Sequence, residues 1–338
     1  MVGFGTVGQW LARALIERGP DLMERYGVRF EVVGLANRRD GFFYREEGID
    51  LGAALTVAAK GSLRELPDVR RWPTALEGMR ATDADVLVEV SASPAPTGDP
   101  GRSHLAEALG RGIAAVTSNK WPVAVHGVDL DELARRQSAP FRAESTVMSG
   151  TPVLSTLRQG LAGASPVAVR GVLNATANYV LSLMARGQGY AGALAAAQRK
   201  GLAERDPSAD VDGHDAVAKS MVLAALVFGC QLRLDDVTRT GISSVTEDAV
   251  SHAIAQGLRI REVATLERSS SDGSSLVARV EPVALGADDP LARIDGTDNA
   301  LVCRAEPLGE VMIVGPGAGI ELAGQGVFSD LVNVAHYS

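Results

Sequence analysis

Short apolar runs alternate with amphipathic stretches over the first third of the chain. The apolar runs cover residues 30–35, 86–90 and 113–117, and helical periodicity marks residues 9–18 and 104–111. Strands that are apolar along their whole length are typical of a parallel sheet covered by helices on both faces. We therefore predict an α/β fold that begins with a doubly wound parallel sheet of the nucleotide-binding kind.

The pattern changes after about residue 130, where helices and strands are grouped instead of alternating. This grouping is typical of an α+β arrangement, so we predict two domains, residues 1–130 and residues 131–314. Thr151-Pro152 resembles a helix N-cap followed by proline at the first helical position. The expected helices of the second domain are 151–161, 179–186, 190–200, 215–228 and 246–257, and the expected strands are 167–173, 275–282, 300–305 and 310–314.

Composition and charge exclude several classes of protein. A net charge of −8 over 338 residues opposes binding to nucleic acid or to an anionic membrane surface. No apolar run approaches the roughly 20 residues that a bilayer-spanning helix needs. Cys230 and Cys303 cannot form a disulfide framework, and the five histidines lack the spacing of zinc ligands. We expect a cytoplasmic protein that binds neither nucleic acid nor membrane.

A glycine-rich loop opens the chain. It reads Gly3-Phe4-Gly5-Thr6-Val7-Gly8, a G-x-G-x-x-G directly before the first predicted helix. In Rossmann-type folds such glycines permit a tight turn, let the backbone approach a pyrophosphate and allow close helix packing. We predict that all six residues bind a dinucleotide. Because only two residues precede the loop, either its leading strand is severely shortened or the printed start lies downstream of the natural one.

The end of the second predicted strand bears on the choice of cofactor. Asn37-Arg38-Arg39 stands where an NAD-selective protein usually places an acid that holds the ribose 2′-hydroxyl. Arg38 and Arg39 suit a 2′-phosphate, which they can bind through charged, bidentate hydrogen bonds. The alternative is a solvated basic turn without a ligand. We predict NADP(H) as the preferred cofactor and NAD(H) as the second choice.

Five acidic residues precede one lysine in residues 201–219. Asp215 and Lys219 stand four positions apart at the start of an apolar helix, so both lie on one face. A neighbouring carboxylate keeps an ammonium charged and directs it, which suits proton donation to a carbonyl. Spacing alone equally allows an ordinary ion pair in an acidic first turn. The order of the acids does not match a calcium loop.

The same stretch resembles the homoserine dehydrogenase signature, roughly A-x-x-x-G-[YF]-A-E-x-D-P-x-x-D-V-x-G-x-D-x-x-x-K. The resemblance implies an NAD(P)-dependent oxidoreductase of amino-acid biosynthesis that interconverts homoserine and aspartate 4-semialdehyde, acting as a homodimer. Because the chain ends shortly after Ser329-Asp330-Leu331-Val332, we expect a short form without a C-terminal regulatory domain. Further matching segments, which extend the resemblance over nearly the whole chain, are 117–120 (TSNK), 144–152 (ESTVMSGTP), 171–179 (GVLNATANY) and 315–319 (GPGAG).

The resemblance assigns roles to individual residues. It makes Lys219 the proton donor, Lys120 a second lysine near the nicotinamide and substrate, and Asp215 the acid that positions Lys219. Residues 131–314 become the catalytic, substrate and dimerisation domain, and 315–338 return to the first domain. The remaining assignments are Glu204, Asp210 and Thr176 for substrate, with Glu204 on its amino group; Ser91 and Gly319 for cofactor; and backbone carbonyls of Glu144, Val147, Ser149 and Thr151 for a sodium ion.

Two departures from the family pattern bear on substrate affinity. Ala175 stands where the family usually has glycine, which is costly if the position requires a glycine-only conformation. Leu202 replaces an aromatic residue beside the substrate. Two other functions stay open: a related NADP-dependent semialdehyde oxidoreductase, and a catalytically silent NADPH-binding regulatory protein. The retained Glu204, Lys120 and Lys219 favour an active enzyme.

Overall fold

The chain folds into two compact units. The structure is a computed structural model that describes residues 1–269 and 275–337. The first unit comprises Met1–Gly150 and Gly319–Ser338, and the second comprises Thr151–Ala318. Ser338, the last residue of the segment predicted to return to the first domain, lies outside the described residues. No helix in the described ranges has the length and apolarity needed to cross a bilayer.

The sheet of the first unit is parallel in one half and antiparallel in the other. Val2 joins the halves, because it bridges in parallel to Ala36 on one side and to Glu89 on the other. This arrangement confirms the predicted Rossmann-like α/β fold, with an antiparallel extension that the alternating pattern did not predict. The antiparallel strands are β1 (Gly34–Asn37), β2 (Gly41–Tyr44) and β3 (Arg70–Trp72), and the parallel strands are β4 (Val86–Glu89), β5 (Ala114–Thr117) and β6 (Phe141–Arg142).

Helices cover this sheet and fix the glycine-rich loop. The first helix buries Leu11 and Leu15 against Val327 and Leu331 of the last one, which closes the core on that face. A second core cluster buries Phe43 together with Leu35 and Ala54. The helices are α1 (Thr6–Tyr26), α2 (Leu51–Ala59), α3 (Ala75–Arg80), α4 (Gly101–Gly110), α5 (Lys120–Arg136), α6 (Ser145–Met148) and, at the end of the chain, α12 (Ile320–Tyr337).

The strand predicted at residues 30–35 is wrong in its bounds, since the observed strand is Gly34–Asn37. Pairing begins only at Gly34, because Val2 is the neighbouring segment on that side and it meets the strand at Ala36. The backbone carbonyls of Val32 and Val33 instead accept hydrogen bonds from Ile49 and Arg45. Residues 29–34 line a cavity of about 700 Å³. Apolar character therefore predicted the strand but not where a partner allows it to begin.

The second unit is built on a six-stranded mixed sheet. Its strand order is β12-β11-β7-β9-β10-β8, with β8 parallel to β10 and the other neighbours antiparallel. Sequence patterns predicted all of its long strands except β9. The strands are β7 (Ser165–Val172), β8 (Val237–Arg239), β9 (Arg259–Arg268), β10 (Leu276–Leu285), β11 (Asp298–Glu306) and β12 (Gly309–Pro316).

The helices of the second unit pack on this sheet, and the predicted cap of one of them is confirmed, since Thr246 accepts a hydrogen bond from Ala249 N–H. The helix expected over residues 151–161 is present only in part: helical backbone begins at Leu154, three residues later than predicted, and Thr156–Gly160 form a short π-helix. The α-helices are α7 (Ala175–Met184), α8 (Tyr190–Arg199), α9 (Ser208–Val211), α10 (His214–Phe228) and α11 (Glu247–Ala255).

Candidate active site

Helix α10 places a lysine inside the second unit. Nearly all of its residues are buried, and its one lysine, Lys219, is among them. Lys219 Nζ lies 2.8 Å from Asp215 Oδ2 and donates a hydrogen bond to the Leu173 carbonyl at 2.6 Å. The structure thus brings together the lysine and acid that spacing placed on one helix face. Burial in protein makes this ion pair different from a solvated surface pair.

Asn174 links two of the predicted acids. Its side-chain N–H group donates to Asp210 Oδ1 at 2.9 Å and to Asp215 Oδ2 at 3.1 Å. Its side-chain oxygen accepts from Ala177 N–H at 2.8 Å, which caps the start of α7. Asn174 belongs to a motif quoted above for the resemblance, but its role in orienting both carboxylates was not predicted.

A second asparagine, Asn299 on β11, is fully buried and was missed by sequence reasoning. Its side-chain N–H donates to the Leu173 carbonyl at 2.9 Å. A Cβ atom on Gly317 would lie 2.2 Å from Asn299 Oδ1, so the backbone can pass this close to Asn299 only because residue 317 is glycine. Its signal in the sequence is a single polar residue at the start of an apolar strand.

Glu262 on β9 is the least expected residue near this cluster. It is 1% exposed, and neither carboxyl oxygen has a hydrogen-bond partner among the described residues. Burial raises its pKa to about 8, with Asp215 adding to the shift and Lys219 opposing it. Its signal was weak, because Glu262 follows Arg261 in the strand β9, which was itself missed.

The predicted substrate residues Thr176 and Glu204 lie apart from the lysine's own contacts. The hydroxyl of Thr176 donates to the Leu202 carbonyl at 2.9 Å, which ties α7 to the segment that carries Glu204. Glu204 itself is exposed. Ala175 adopts no positive φ angle, since the non-glycine residues that do so in the described ranges are Asp68, Ser138 and Ser149. Ala175 therefore causes no backbone strain, in contrast to the cost expected if the position required a glycine-only conformation.

The glycine-rich loop of the first unit has the geometry of an anion cradle. A Cβ atom on Gly3, whose φ is +103°, would lie 2.5 Å from the Ser91 nitrogen, and one on Gly8 would lie 2.1 Å from the Gly3 oxygen. Gly5 in contrast faces open space, and no side chain caps α1 there. The helix N–H groups and the space above Gly5 thus fit the pyrophosphate of a dinucleotide.

Glu89 organises the polar residues that follow β4 and β5. It is fully buried, lies 2.6 Å from the Nδ1 atom of His104, and accepts hydrogen bonds from both the N–H and the hydroxyl of Ser91. Asn119 donates to Ser93 at 2.8 Å and directly precedes Lys120, the first residue of α5. Sequence analysis predicted Ser91 and Lys120 but missed Glu89, whose signal was a charge inside an apolar strand.

The two predicted phosphate-binding arginines lie on the turn between β1 and β2. Arg38 and Arg39 are exposed, while the carboxylate of Asp40 points inward. Asp40 accepts hydrogen bonds from the Asn37 side chain at 2.9 Å and the Leu63 N–H at 2.9 Å. Burial alone would raise the pKa of Asp40, but these bonds outweigh it and hold the pKa well below its usual range. The nearest acid is therefore committed to the fold.

The predicted sodium ligands surround the short helix α6. Glu144 donates its backbone N–H to Asp330 at 2.8 Å, and Ser149 has a φ angle of +52°. Thr151 is the first residue of the second unit. Across the described ranges, no group of three or more His, Cys, Asp or Glu side chains is arranged to hold a metal.

Two family models match the chain. The homoserine dehydrogenase model matches residues 152–332. The model for the NAD binding domain of homoserine dehydrogenase matches residues 3–144. Together they include every residue discussed above for Lys219 and for the glycine-rich loop.

Curated proteins and solved structures of similar length give the same result. A protein of Pseudomonas canavaninivorans named NAD(+)-dependent homoserine dehydrogenase is 36% identical over 99% of this chain and 95% of its own. A homoserine dehydrogenase of Methanocaldococcus jannaschii is 33% identical over 99% and 97%. A putative homoserine dehydrogenase of Archaeoglobus fulgidus superposes with a TM-score of 0.86 at 33% identity, covering 98% of this chain and 97% of that one. A hyperthermophilic archaeal homoserine dehydrogenase in complex with NADPH gives 0.82 at 32%, covering 100% and 97%.

Proposed function

Because the chain belongs to the homoserine dehydrogenase family, we propose that Lys219 is the proton donor in its reaction. The chain is an NAD(P)-dependent oxidoreductase that interconverts homoserine and aspartate 4-semialdehyde. The observation that carries the assignment of Lys219 is its hydrogen bonding. Of the three N–H groups of the ammonium, the described residues occupy two, through Asp215 and the Leu173 carbonyl. One N–H remains for a substrate oxygen.

The electrostatics of the cluster suit this role. When bound, the nicotinamide cofactor supplies the hydride that adds to the aldehyde carbon. Negative charge then develops on the carbonyl oxygen, and Lys219 stabilises that oxygen before transferring a proton to it. Asp215 keeps the ammonium charged, and Asn174 holds Asp215 and Asp210 in place. In the oxidative direction Lys219 takes up the hydroxyl proton of homoserine.

We assign the remaining predicted residues to binding. The exposed carboxylate of Glu204 pairs with the substrate ammonium, and Asp210 and Thr176 shape the site around it. Lys120 supplies a second positive charge for the reacting oxygen. The six residues of the glycine-rich loop, with Ser91 and Gly319, hold the cofactor, since only the glycines leave room for its pyrophosphate.

We propose NADP(H) as the preferred cofactor and NAD(H) as the weaker one. The support is the exposure of Arg38 and Arg39 together with the inward position of Asp40, which leaves no acid turned toward a ribose hydroxyl at this turn. The relatives do not decide the matter, because one is named for NAD(+) and another was solved with NADPH.

We also propose a homodimer formed through the second unit. Its edge strand β12 carries exposed Met312 and Val314, and Leu308 is exposed at the turn before it. An edge strand with apolar side chains favours pairing with another chain. The sodium ion on the carbonyls around α6 stays a prediction, and removing sodium by buffer exchange before a stability measurement tests it.

The defining experiment is NADPH oxidation by the purified protein with aspartate 4-semialdehyde, repeated with NADH and with other amino-acid semialdehydes. We expect turnover with aspartate 4-semialdehyde above all other aldehydes and a lower KM for NADPH than for NADH. A better semialdehyde substrate would favour the related oxidoreductase. Nucleotide binding without turnover on any of them would favour a silent regulatory protein.

A further inference from the structure

Glu262 lies beside the start of helix α10, which carries the proposed proton donor, and it contributes no side-chain hydrogen bond among the described residues. Its Oε1 atom is 3.3 Å from the position that a Cβ atom on Gly213 would occupy. Gly213 is the N-cap residue directly before α10, and the first two turns of that helix carry Asp215 and Lys219. The charged groups that act on Glu262 are Asp215 and Lys219 from α10, Asp210 from α9 and Arg239 from β8.

A buried acid without partners is unfavourable for folding. Its oxygens lose their hydrogen bonds to water, and the described residues offer none in return. The following residues of β9, Val263 and Ala264, are buried and apolar, as a sheet interior requires. An apolar side chain at position 262 would stabilise the unit more. Costly ionisable groups of this kind cluster at functional sites.

We propose that Glu262 is a positioning residue of the reaction, whose charge state sets the pH at which Lys219 ceases to donate a proton. This inference rests on the proposed role of Lys219. With Glu262 neutral, the surrounding charges are two negative (Asp210, Asp215) and two positive (Lys219, Arg239). Once Glu262 is ionised, the group carries one net negative charge, which holds the Lys219 ammonium in its protonated form.

The consequence appears at alkaline pH. As pH rises, Glu262 loses its proton, and the new negative charge opposes loss of the next proton, that of Lys219. Reduction of the aldehyde needs the charged lysine, so Glu262 extends reductive turnover toward higher pH. At an effective dielectric of about 20, one unit charge gained within such a cluster displaces a titration by on the order of one pH unit.

The test is the pH profile of kcat for aspartate 4-semialdehyde reduction at saturating NADPH. In Glu262→Gln the glutamine side chain has the shape of glutamate but cannot ionise. The kcat values of each protein are normalised to the plateau of its own pH profile. We expect the alkaline limb of Glu262→Gln to lie roughly one pH unit below that of the parent. Glu267→Gln is the matched control, because Glu267 lies on the same strand but is exposed and paired with Arg304. Its limb should coincide with the parental one.

The outcomes separate this inference from the function on which it rests. An unchanged limb in Glu262→Gln overturns the inference, even though Lys219 remains the donor. Parental turnover in Lys219→Ala overturns the donor itself and the inference with it. If Glu262→Gln does not fold, Glu262→Met replaces it, since methionine fills the buried site without charge. The same downward shift then supports the inference, and an unchanged limb contradicts it.

Discussion

Lys219 and Asn299 donate hydrogen bonds to the same acceptor, the carbonyl oxygen of Leu173, at 2.6 and 2.9 Å. A carbonyl oxygen has two lone pairs, so both are occupied. The residues come from α10 and β11, and the shared oxygen lies at the end of β7. The direction of the ammonium is therefore fixed by three separate elements of the sheet and helix layers, and not by the ion pair with Asp215 alone.

Replacing Lys219 by alanine removes the proposed donor. We expect turnover with aspartate 4-semialdehyde to fall by roughly 10² to 10⁴, the usual effect of a positioned acid or base. The glycine-rich loop belongs to the other unit, so NADPH binding, measured by fluorescence titration, should be retained. Lys200→Ala is the control, because Lys200 is exposed in the same unit and should leave turnover unchanged. Parental turnover in a folded Lys219→Ala protein would make the lysine an ordinary ion-pair residue.

The double replacement of Arg38 and Arg39 by alanine tests cofactor choice. Each lost charged hydrogen bond should weaken NADPH binding by about 1.5 to 3 kcal/mol, while NADH binding changes little because it lacks the 2′-phosphate. The measurement is the dissociation constant of each nucleotide. Arg29→Ala, an exposed arginine paired with Glu31, controls for loss of general positive charge. Equal losses for both nucleotides would show that the arginines do not read the phosphate.

Glu204→Gln removes the proposed partner of the substrate ammonium. The KM for homoserine should rise by roughly 10-fold or more, as expected for a lost charged hydrogen bond, with NADPH dissociation unaffected. Asp206→Asn is the nearby control, since Asp206 bonds the Ser208 N–H and is also exposed. If the KM for homoserine rose in Asp206→Asn and not in Glu204→Gln, substrate recognition would belong to Asp206 instead of Glu204.

The pKa of Glu262 predicts a pH-dependent stability. Burial raises this pKa from 4.5 to about 8 in the folded chain. Below pH 4.5 the acid is neutral in both states, and above it the unfolded state ionises first. Glu262 therefore destabilises the fold by on the order of 1 kcal/mol per pH unit up to about pH 8, and by a constant amount beyond. Glu262→Gln should lose this slope.

Urea denaturation at several pH values between 5 and 9 measures that difference. The free energy of unfolding of Glu262→Gln should exceed that of the parent increasingly as pH rises. The variant Glu267→Gln should follow the parent throughout, because Glu267 is exposed and its carboxyl is not buried on folding. Parallel curves for Glu262→Gln and the parent would mean that Glu262 is already ionised in the folded protein.

Periodicity predicted the elements whose own hydrophobic pattern is sufficient to define them. It failed for strands whose presence or bounds depend on pairing with another segment of the chain. Helix α11 was predicted with its cap because Thr246 provides the bond to Ala249 N–H locally. Strand β9 was missed, because its alternation is broken by the charges of Arg261 and Glu262, both of which the sheet buries. The start of β1 was misplaced, since it depends on where Val2 lies.

Local spacing likewise predicted the pair of Asp215 and Lys219, which one helix turn brings together. The contacts of Asn299 and Glu262 could not be predicted, because they join residues 126 positions apart in one case and an acid on a missed strand in the other. Such contacts depend on strand order, which periodicity does not report. A charged or amide residue among the apolar residues of a strand is the sequence feature that indicated these two site residues.

In the turn between β1 and β2, adjacent residues have different roles: one stabilises the turn, and two are available to a cofactor. Asp40 holds the turn from inside through Asn37 and Leu63, while Arg38 and Arg39 are exposed and Arg39 Nε lies 3.4 Å from Asp40 Oδ1. Mutation at 38 and 39 therefore removes the ion pair of Arg39 with Asp40 but leaves the bonds of Asp40 to Asn37 and Leu63 in place. On the proposal that Arg38 and Arg39 bind the 2′-phosphate, one or two codon changes at this turn alter the choice between phosphorylated and unphosphorylated nucleotides. We therefore expect cofactor preference in this architecture to be an evolutionarily labile trait, because the change needs no adjustment of the buried core.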